Sequence, residues 1–302
     1  PDEVAQHVKK YLDSKPNKPF FLKVGFEYPH RDAQGRFKQA LPDSSLGVEI
    51  PPYLPNCPQA KTELAKLQGV IREMDQAVGE ILVHIKNAGL LEETWIIFTT
   101  DHGIAFPRAK CTLYDRGIET ALIMYAEPFS LVGGKVYDPL INNVDLLPTI
   151  LDMLGIELPK NLQGQSFAPL LRNIPYEGRK EIFAEKTFHT AYEPQRAIRT
   201  ERFKLIWNVE AGIINVPGDV MRSPIFPEVI NTVVEERPHF ELYDLFNDPH
   251  ERINLIGRPE YEEVFFDLRQ RLLNWMEETQ DPLLVGPIAS PFFEIGRKKL
   301  KA

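Results

Sequence analysis

Between residues 61 and 88 the apolar positions Leu64, Leu67, Ile71, Met74, Val78, Leu82 and Ile85 recur in steps of three or four. That spacing predicts one long amphipathic helix with a single face turned to a sheet. NAGL, residues 87–90, closes it, with Gly89 as the stop signal. Val4 to Leu12 reads as the end of a shorter helix, broken by the prolines of LDSKPNKP. PFFLKVGF, residues 19–26, and the stretch from Trp95 to Thr100 are unbroken apolar and β-branched runs, which predict buried strands. Strand, helix and strand in that order predict a parallel or mixed sheet covered by helices. ETALIMYA adds a strand, VGGK a turn, and NNVDLLPTILDMLGI a helix ending near Gly155. Residues 32–60 and 103–117 show no sustained period and read as long loops, which in compact domains often carry function.

Near residue 172 the pattern shortens. EIFAEK, RAIRTERFKLIWNV and HFELYDLFND predict short strands, followed by a helix over 260–278. The chain therefore divides, as a sequence, into an α/β core over 1–172 and a smaller antiparallel sheet with a terminal helix over 173–302. Composition adds limits. A net charge of −8 argues against a nucleic-acid partner, which needs a basic face, but leaves room for a locally positive pocket. Two cysteines, Cys57 and Cys111, are too few for a disulfide framework or a cysteine-rich zinc site. No apolar run approaches the roughly 18 residues of a membrane span, and no signal peptide is visible. The absence of an Asn-x-Ser/Thr sequon weighs against a glycosylated secretory protein. The chain starts at Pro1 without a methionine, so its start reads as processed, engineered or incomplete.

Candidate chemistry sits where strands end. In TWIIFTTDHGIAFP, Asp101 and His102 follow the predicted strand, and Gly103 allows a sharp turn. A carboxylate beside an imidazole suits a divalent cation, although Asp101 would equally cap a loop while His102 packs. His30 and Arg31 follow the strand predicted over 19–26. The first suits proton transfer near neutral pH; the second suits an anion or a salt bridge. Lys110, in PRAKCTLYDRG, would hold an anionic oxygen, or lie solvated on the surface.

PFFLKVGFEYPHR, then the long helix running into ETWIIFTTDHG, then AKCTLYDRG, resembles the sulfatases of the alkaline phosphatase superfamily. Within them the chain is most similar to the heparan N-sulfatase (N-sulfoglucosamine sulfohydrolase) group. That resemblance includes ELYDLFNDPHERINL and the WMEETQDP ending. It implies an alkaline-phosphatase-like mixed sheet sandwiched by helices, with a smaller C-terminal antiparallel sheet. It implies hydrolysis of sulfate ester or N-sulfate groups on sulfated sugars or glycosaminoglycans. Asp101 and His102 match the metal-binding pair, for one divalent cation, calcium first. Lys110 and His30 match catalytic groups on the sulfate and its leaving atom. Arg31 and His189 match positions near the substrate.

Two departures bear on this. Residue 102 is often Asn in calcium sulfatases; histidine occurs in related phosphonate and phosphodiester hydrolases and admits manganese or zinc. The family nucleophile is a formylglycine made within C/S-x-P/A-x-R, yet Cys57 reads CPQAK and Cys111 reads CTLYD. The resemblance thus implies a missing N-terminal part that carries the formylglycine, with this chain alone incomplete and inactive. Phosphonate monoester or phosphodiester hydrolysis, and non-catalytic binding of sulfated glycans, are the competing readings. A homodimer is compatible with the pattern, and the expected location is periplasmic or extracellular, or lysosomal in a eukaryote.

Overall fold

The computed structural model describes residues 1–16, 19–37, 41–212, 216–233 and 237–301. These form two compact units that are not simple halves of the chain. The first gathers Pro1–Pro107, Thr120–Val136 and Gly218–Thr232; the second gathers Arg108–Glu119, Tyr137–Pro217 and Val233–Ala302.

In the first unit the Asp2–Asp13 helix carries Asp2 and Glu3 in its first turn, where carboxylates favour the helix dipole. Its buried Ala5, Val8 and Leu12 pack on Ala77, Ile81 and Leu90. The long helix spans Pro58–Asn87, three residues earlier than the apolar period alone predicts. The Cys57 thiol accepts from the Ala60 N–H at 3.4 Å, and Pro58 occupies the first turn, where its missing N–H costs nothing. Gly89, at φ +69°, ends the run in the left-handed region that glycine tolerates. The buried face differs from the predicted stripe. Ile71 and Leu82 are exposed, while Val70, Ala77 and Ile81 are buried. Small residues carry part of the seam, and counting only bulky ones shifts it.

One expectation for this unit changes. The segment 19–26 forms no strand among the described residues. Phe20, Val24 and Phe26 instead lie against the helix cluster, and Phe21 faces solvent. β1 (Ile96–Thr99) pairs antiparallel with β2 (Leu122–Tyr125), with Ile97 opposite Met124. The strand–helix–strand unit expected of 19–26 and 95–100 is absent among the described residues because 19–26 forms no strand, and the antiparallel β1–β2 pair fits the mixed sheet of the expectation.

The second unit holds a four-stranded antiparallel sheet in the order β3 (Glu181–Phe188), β4 (Tyr192–Thr200), β5 (Phe203–Asn208) and β6 (Phe240–Asp244). The pleat separates its two faces. Ile198, Leu205 and Leu242 pack with Leu268, Leu272 and Met276 of the Glu262–Glu278 helix. Ala197, Ile206 and Tyr243 pack with Leu113 and Tyr114. Lys204, on this second face, is fully buried and pairs with Asp115 at 2.5 Å and Glu251 at 2.8 Å. The predicted sheet and terminal helix are thus present, and a further helix, Pro291–Lys301, follows them. Among the described residues no helix is long and apolar enough to cross a membrane.

Candidate functional site

The loop after residue 26 is tied by its own backbone. The Tyr28–Pro29 peptide is cis, and the His30 N–H donates to Glu27 O at 2.9 Å. Asp32 Oδ1 accepts from the N–H groups of Gln34 and Arg36, both at 2.9 Å. Arg31 is only 2% exposed. Its Nε donates to Ala105 O at 2.8 Å, and one terminal nitrogen donates to Gly35 O at 2.8 Å and Glu63 at 2.5 Å. The guanidinium also lies over the rings of Phe37 and Phe106, 3.9 and 4.9 Å from their centroids. Burial lowers its pKa from the ordinary arginine value, and Glu63 opposes that shift. Nε and Nη1 are committed to protein groups, so Arg31 pins the loop, while its buried Nη2 has no hydrogen-bond partner.

His30 stands beside it, half exposed. Its Nδ1–H donates to Arg31 O at 2.5 Å, and Nε2 faces Asp219 Oδ2 at 3.8 Å. Neither Glu63 nor Asp219 is flagged by any sequence motif. Each is brought to the loop from a distant segment.

Asp101 and His102 follow β1 in a bend of the same unit. His102 Nδ1–H donates to Gly103 O at 2.7 Å, which leaves Nε2 facing outward, 3.8 Å from Asp101 Oδ1. A backbone acceptor behind one ring nitrogen is how ligating histidines are oriented. The Asp101 side chain is 90% exposed, so its oxygens are open to a ligand. The spacing exceeds a hydrogen bond and lies within the span of two donors on one cation, each about 2.0–2.6 Å from it. The pair therefore fits part of a metal site. Among the described residues no third His, Cys, Asp or Glu joins it.

Lys110 and His189 belong to the second unit. Lys110 is 5% exposed, contrary to a solvated surface lysine. Its loop is tightly wound. Arg108 and Cys111 take positive φ, and the Thr112 hydroxyl donates to Ala109 O at 2.8 Å. A Cβ on Gly117 would stand 2.4 Å from both Ala109 O and Thr112 O, so only glycine lets the chain return so closely. Lys186 Nζ donates to Cys111 O at 2.7 Å and pairs with Glu193, which also pairs with Arg237 at 2.6 Å. Burial lowers the Lys186 pKa, opposed by Glu193. His189 is exposed at the tip between β3 and β4, its Nδ1 2.9 Å from the Thr190 hydroxyl. Cys111, Lys186, His189, Thr190 and Glu193 line one shallow cleft with room for about one water. The neighbour of Lys110 and His189 thus share a cleft.

Comparison with known proteins places this geometry in context. The sequence model of the family described as Sulfatase matches residues 1–156, and that described as N-sulphoglucosamine sulphohydrolase, C-terminal, matches residues 103–213. Human N-sulphoglucosamine sulphohydrolase is 30% identical over 93% of this chain and 65% of its own length. A protein solved in complex with its substrate D-glucosamine-2-N,6-O-disulfate is 25% identical with a TM-score of 0.57, over 73% of this chain and 42% of that one. A putative sulfatase from Bacteroides thetaiotaomicron superposes with a TM-score of 0.69 at 21% identity, covering 95% of this chain and 66% of its own. The chain spans less than two thirds of the length of the human relative.

Proposed function

The chain belongs to the sulfatase family, and from that premise we propose that the protein hydrolyses sulfate ester or sulfamate groups on sulfated sugars of the glycosaminoglycan type. The observation that carries the reading is the pair at the end of β1, where His102 Nε2 and an open Asp101 oxygen face each other at 3.8 Å. The match of residues 103–213 to the N-sulphoglucosamine sulphohydrolase C-terminal family supports the same chemistry, since that span includes Lys110 and His189.

In this reading Asp101 and His102 would hold one divalent cation, calcium first, with manganese or zinc admitted by the imidazole. When bound, such an ion supplies positive charge beside the sulfate oxygens. The nucleophile would be a formylglycine, and neither Cys57 nor Cys111 lies in the sequence context that forms one. Lys110 neutralises charge growing on a sulfate oxygen. The Nδ1–H of His30 is held by Arg31 O, so Nε2 is the atom that delivers a proton to the departing oxygen or nitrogen as its bond to sulfur breaks. His189, exposed at the hairpin tip, contacts the sugar.

The test is sulfate release from N-sulfoglucosamine and 6-O-sulfated glucosamine, set against a phosphonate monoester. The expected result is preference for the sulfated sugars, with His30→Ala and Lys110→Ala each lowering kcat/KM by roughly 10²–10⁴-fold. Preference for the phosphonate, or undiminished turnover in both folded variants, would overturn it.

A further inference from the structure

We infer that Lys186 makes the cleft at the β3–β4 hairpin a subsite for a second oxyanion of the substrate, a sulfate or carboxylate on the same or the adjoining sugar, beside the sulfate that is hydrolysed. This deepens the proposed reaction and rests on the sulfated sugar assigned there as substrate. The juxtaposition is two shielded cations, Lys186 and Arg237, that share one carboxylate beside an open cleft.

All of these groups belong to the second unit. Lys186 lies on the β3 face of Ala184, which packs on the cluster of Leu113 and Tyr114. From there its ammonium reaches Cys111 O at 2.7 Å. Glu193 takes a second of its three N–H groups. Among the described residues no other acceptor takes the third, which is left for the cleft. Glu193 also pairs with Arg237 at 2.6 Å, and among the described residues it is the one carboxylate that pairs with either cation. Two positive charges against one negative leave a positive surplus at a shielded place, with side-chain exposures of 10% for Lys186 and 7% for Arg237. Such a surplus attracts an anion even on an acidic protein. Burial lowers the Lys186 pKa and Arg237 adds to that shift, against the pull of Glu193. An anion in the cleft would oppose both.

The cleft suits one oxygen of such a group. Cys111, His189 and Thr190 complete its wall with Lys186 and Glu193, and the space holds about one water. One oxygen of a sulfate or carboxylate enters that space while the sugar stays outside. The hairpin is shaped locally for this. Lys186 stands opposite Gln195, but Phe188 stands opposite Tyr192, so β4 carries one extra residue between them. A bulge of this kind re-aims the side chains at the end of a strand pair. Cys111 directly follows Lys110 in the chain, so their Cα atoms lie about 3.8 Å apart. The cleft thus begins next to the residue assigned to the reacting sulfate, a separation that one sugar ring can bridge. Binding there makes and breaks no covalent bond.

The experiment uses the complete protein and two probe pairs. One is glucosamine N,6-O-disulfate against N-sulfoglucosamine. The other is a disaccharide of N-sulfoglucosamine and a uronic acid against its carboxyl-reduced form. Wild type should prefer the more anionic member of one pair, and that pair identifies the source of the oxyanion. Lys186→Met should lower the preference, as a ratio of kcat/KM, by roughly ten- to a hundredfold. The loss should fall on KM, with kcat within about threefold, because the contact is remote from the reacting bond. Lys186→Arg should recover part of it. Lys186→Met leaves Glu193 with Arg237; should it still not fold, Thr190→Glu, at an exposed hairpin tip, places a repelling charge at the mouth of the cleft. It should lower the same ratio, and Thr190→Gln should not. Equal wild-type preference within both pairs, an unchanged ratio in the folded Lys186→Met or Thr190→Glu variant, or equal losses on both members of a pair would overturn the inference. If wild type releases no sulfate from any probe, the parent reading fails. Calorimetric affinities for the same pairs, compared between wild type and Lys186→Met, then still decide whether Lys186 reads the second oxyanion.

Discussion

Replacing Arg31 with methionine removes a guanidinium of zero side-chain exposure from a Glu63 carboxylate that is 1% exposed. At 2.5 Å and an effective dielectric of about 20, the attraction is roughly 6–7 kcal/mol, and the desolvation of both charges offsets part of it. The substitution leaves Glu63 with Lys66, at 3.1 Å, as its remaining ion-pair partner. It also strips Ala105 O and Gly35 O of their donors. Buried pairs broken from one side cost about 3–5 kcal/mol, a large fraction of the roughly 5–15 kcal/mol that holds a domain together. Urea unfolding of Arg31→Met should therefore show a loss of about 3–5 kcal/mol. The double variant Arg31→Met with Glu63→Met should recover much of that loss, because no lone buried carboxylate remains. A single variant that loses under about 1 kcal/mol yet binds substrate poorly would refute the reasoning. It would mean that the guanidinium serves the ligand and not the loop.

Lys204→Met should destabilise by a similar few kcal/mol, because it leaves Asp115 and Glu251 facing each other without their shared cation; denaturant titration of the variant checks this. Stability should fall on acidification. Burial pushes the Asp115 and Asp281 carboxyls up, but Lys204 and Arg196 respectively pull them below the ordinary value. A hydrogen bond from Ser166, joined by Arg172, lowers Asp152 as well. Groups so lowered contribute stability above the unfolded pKa of about 3.9 and lose it as pH drops further. Glu251, raised by burial, works in the opposite sense and tempers the slope. Urea midpoints between pH 7 and pH 3 should trace a decline concentrated below about pH 4, and a flat profile there would contradict it. Gly35→Ala should reduce turnover on a sugar sulfate together with stability, because its Cβ meets backbone of Arg222 and not a yielding side chain; turnover and an unfolding midpoint equal to wild type would contradict it.

Local signals in the sequence resolved much of the architecture. NAGL marks a helix end that the structure places at the left-handed Gly89. EIFAEK and HFELYDLFND mark strands of the four-stranded sheet, because alternation and turn residues act over a few positions. RAIRTERFKLIWNV resolves into two strands around Glu201 and Arg202. The segment 19–26 misled because an apolar run reports burial, and its burial here is against helices. At the site, the sequence singled out His30 and the Asp101–His102 pair by chemistry and by the apolar runs before them, of which only the run before Asp101 forms a strand among the described residues. It left Arg31 open between an anion binder and an ion-pair partner, because the carboxylate it pairs with, Glu63, lies on another element. Asp219 was invisible for the same reason, as only the close approach at Gly35 brings it to His30.

The account depends most on Asp101 and His102 gripping a cation that in turn anchors the sulfate. Anomalous diffraction from crystals of the complete protein soaked in manganese tests this directly. The account predicts a peak in contact with the Asp101 carboxylate and with His102 Nε2. A bound ion with both side chains turned away from it would contradict the account.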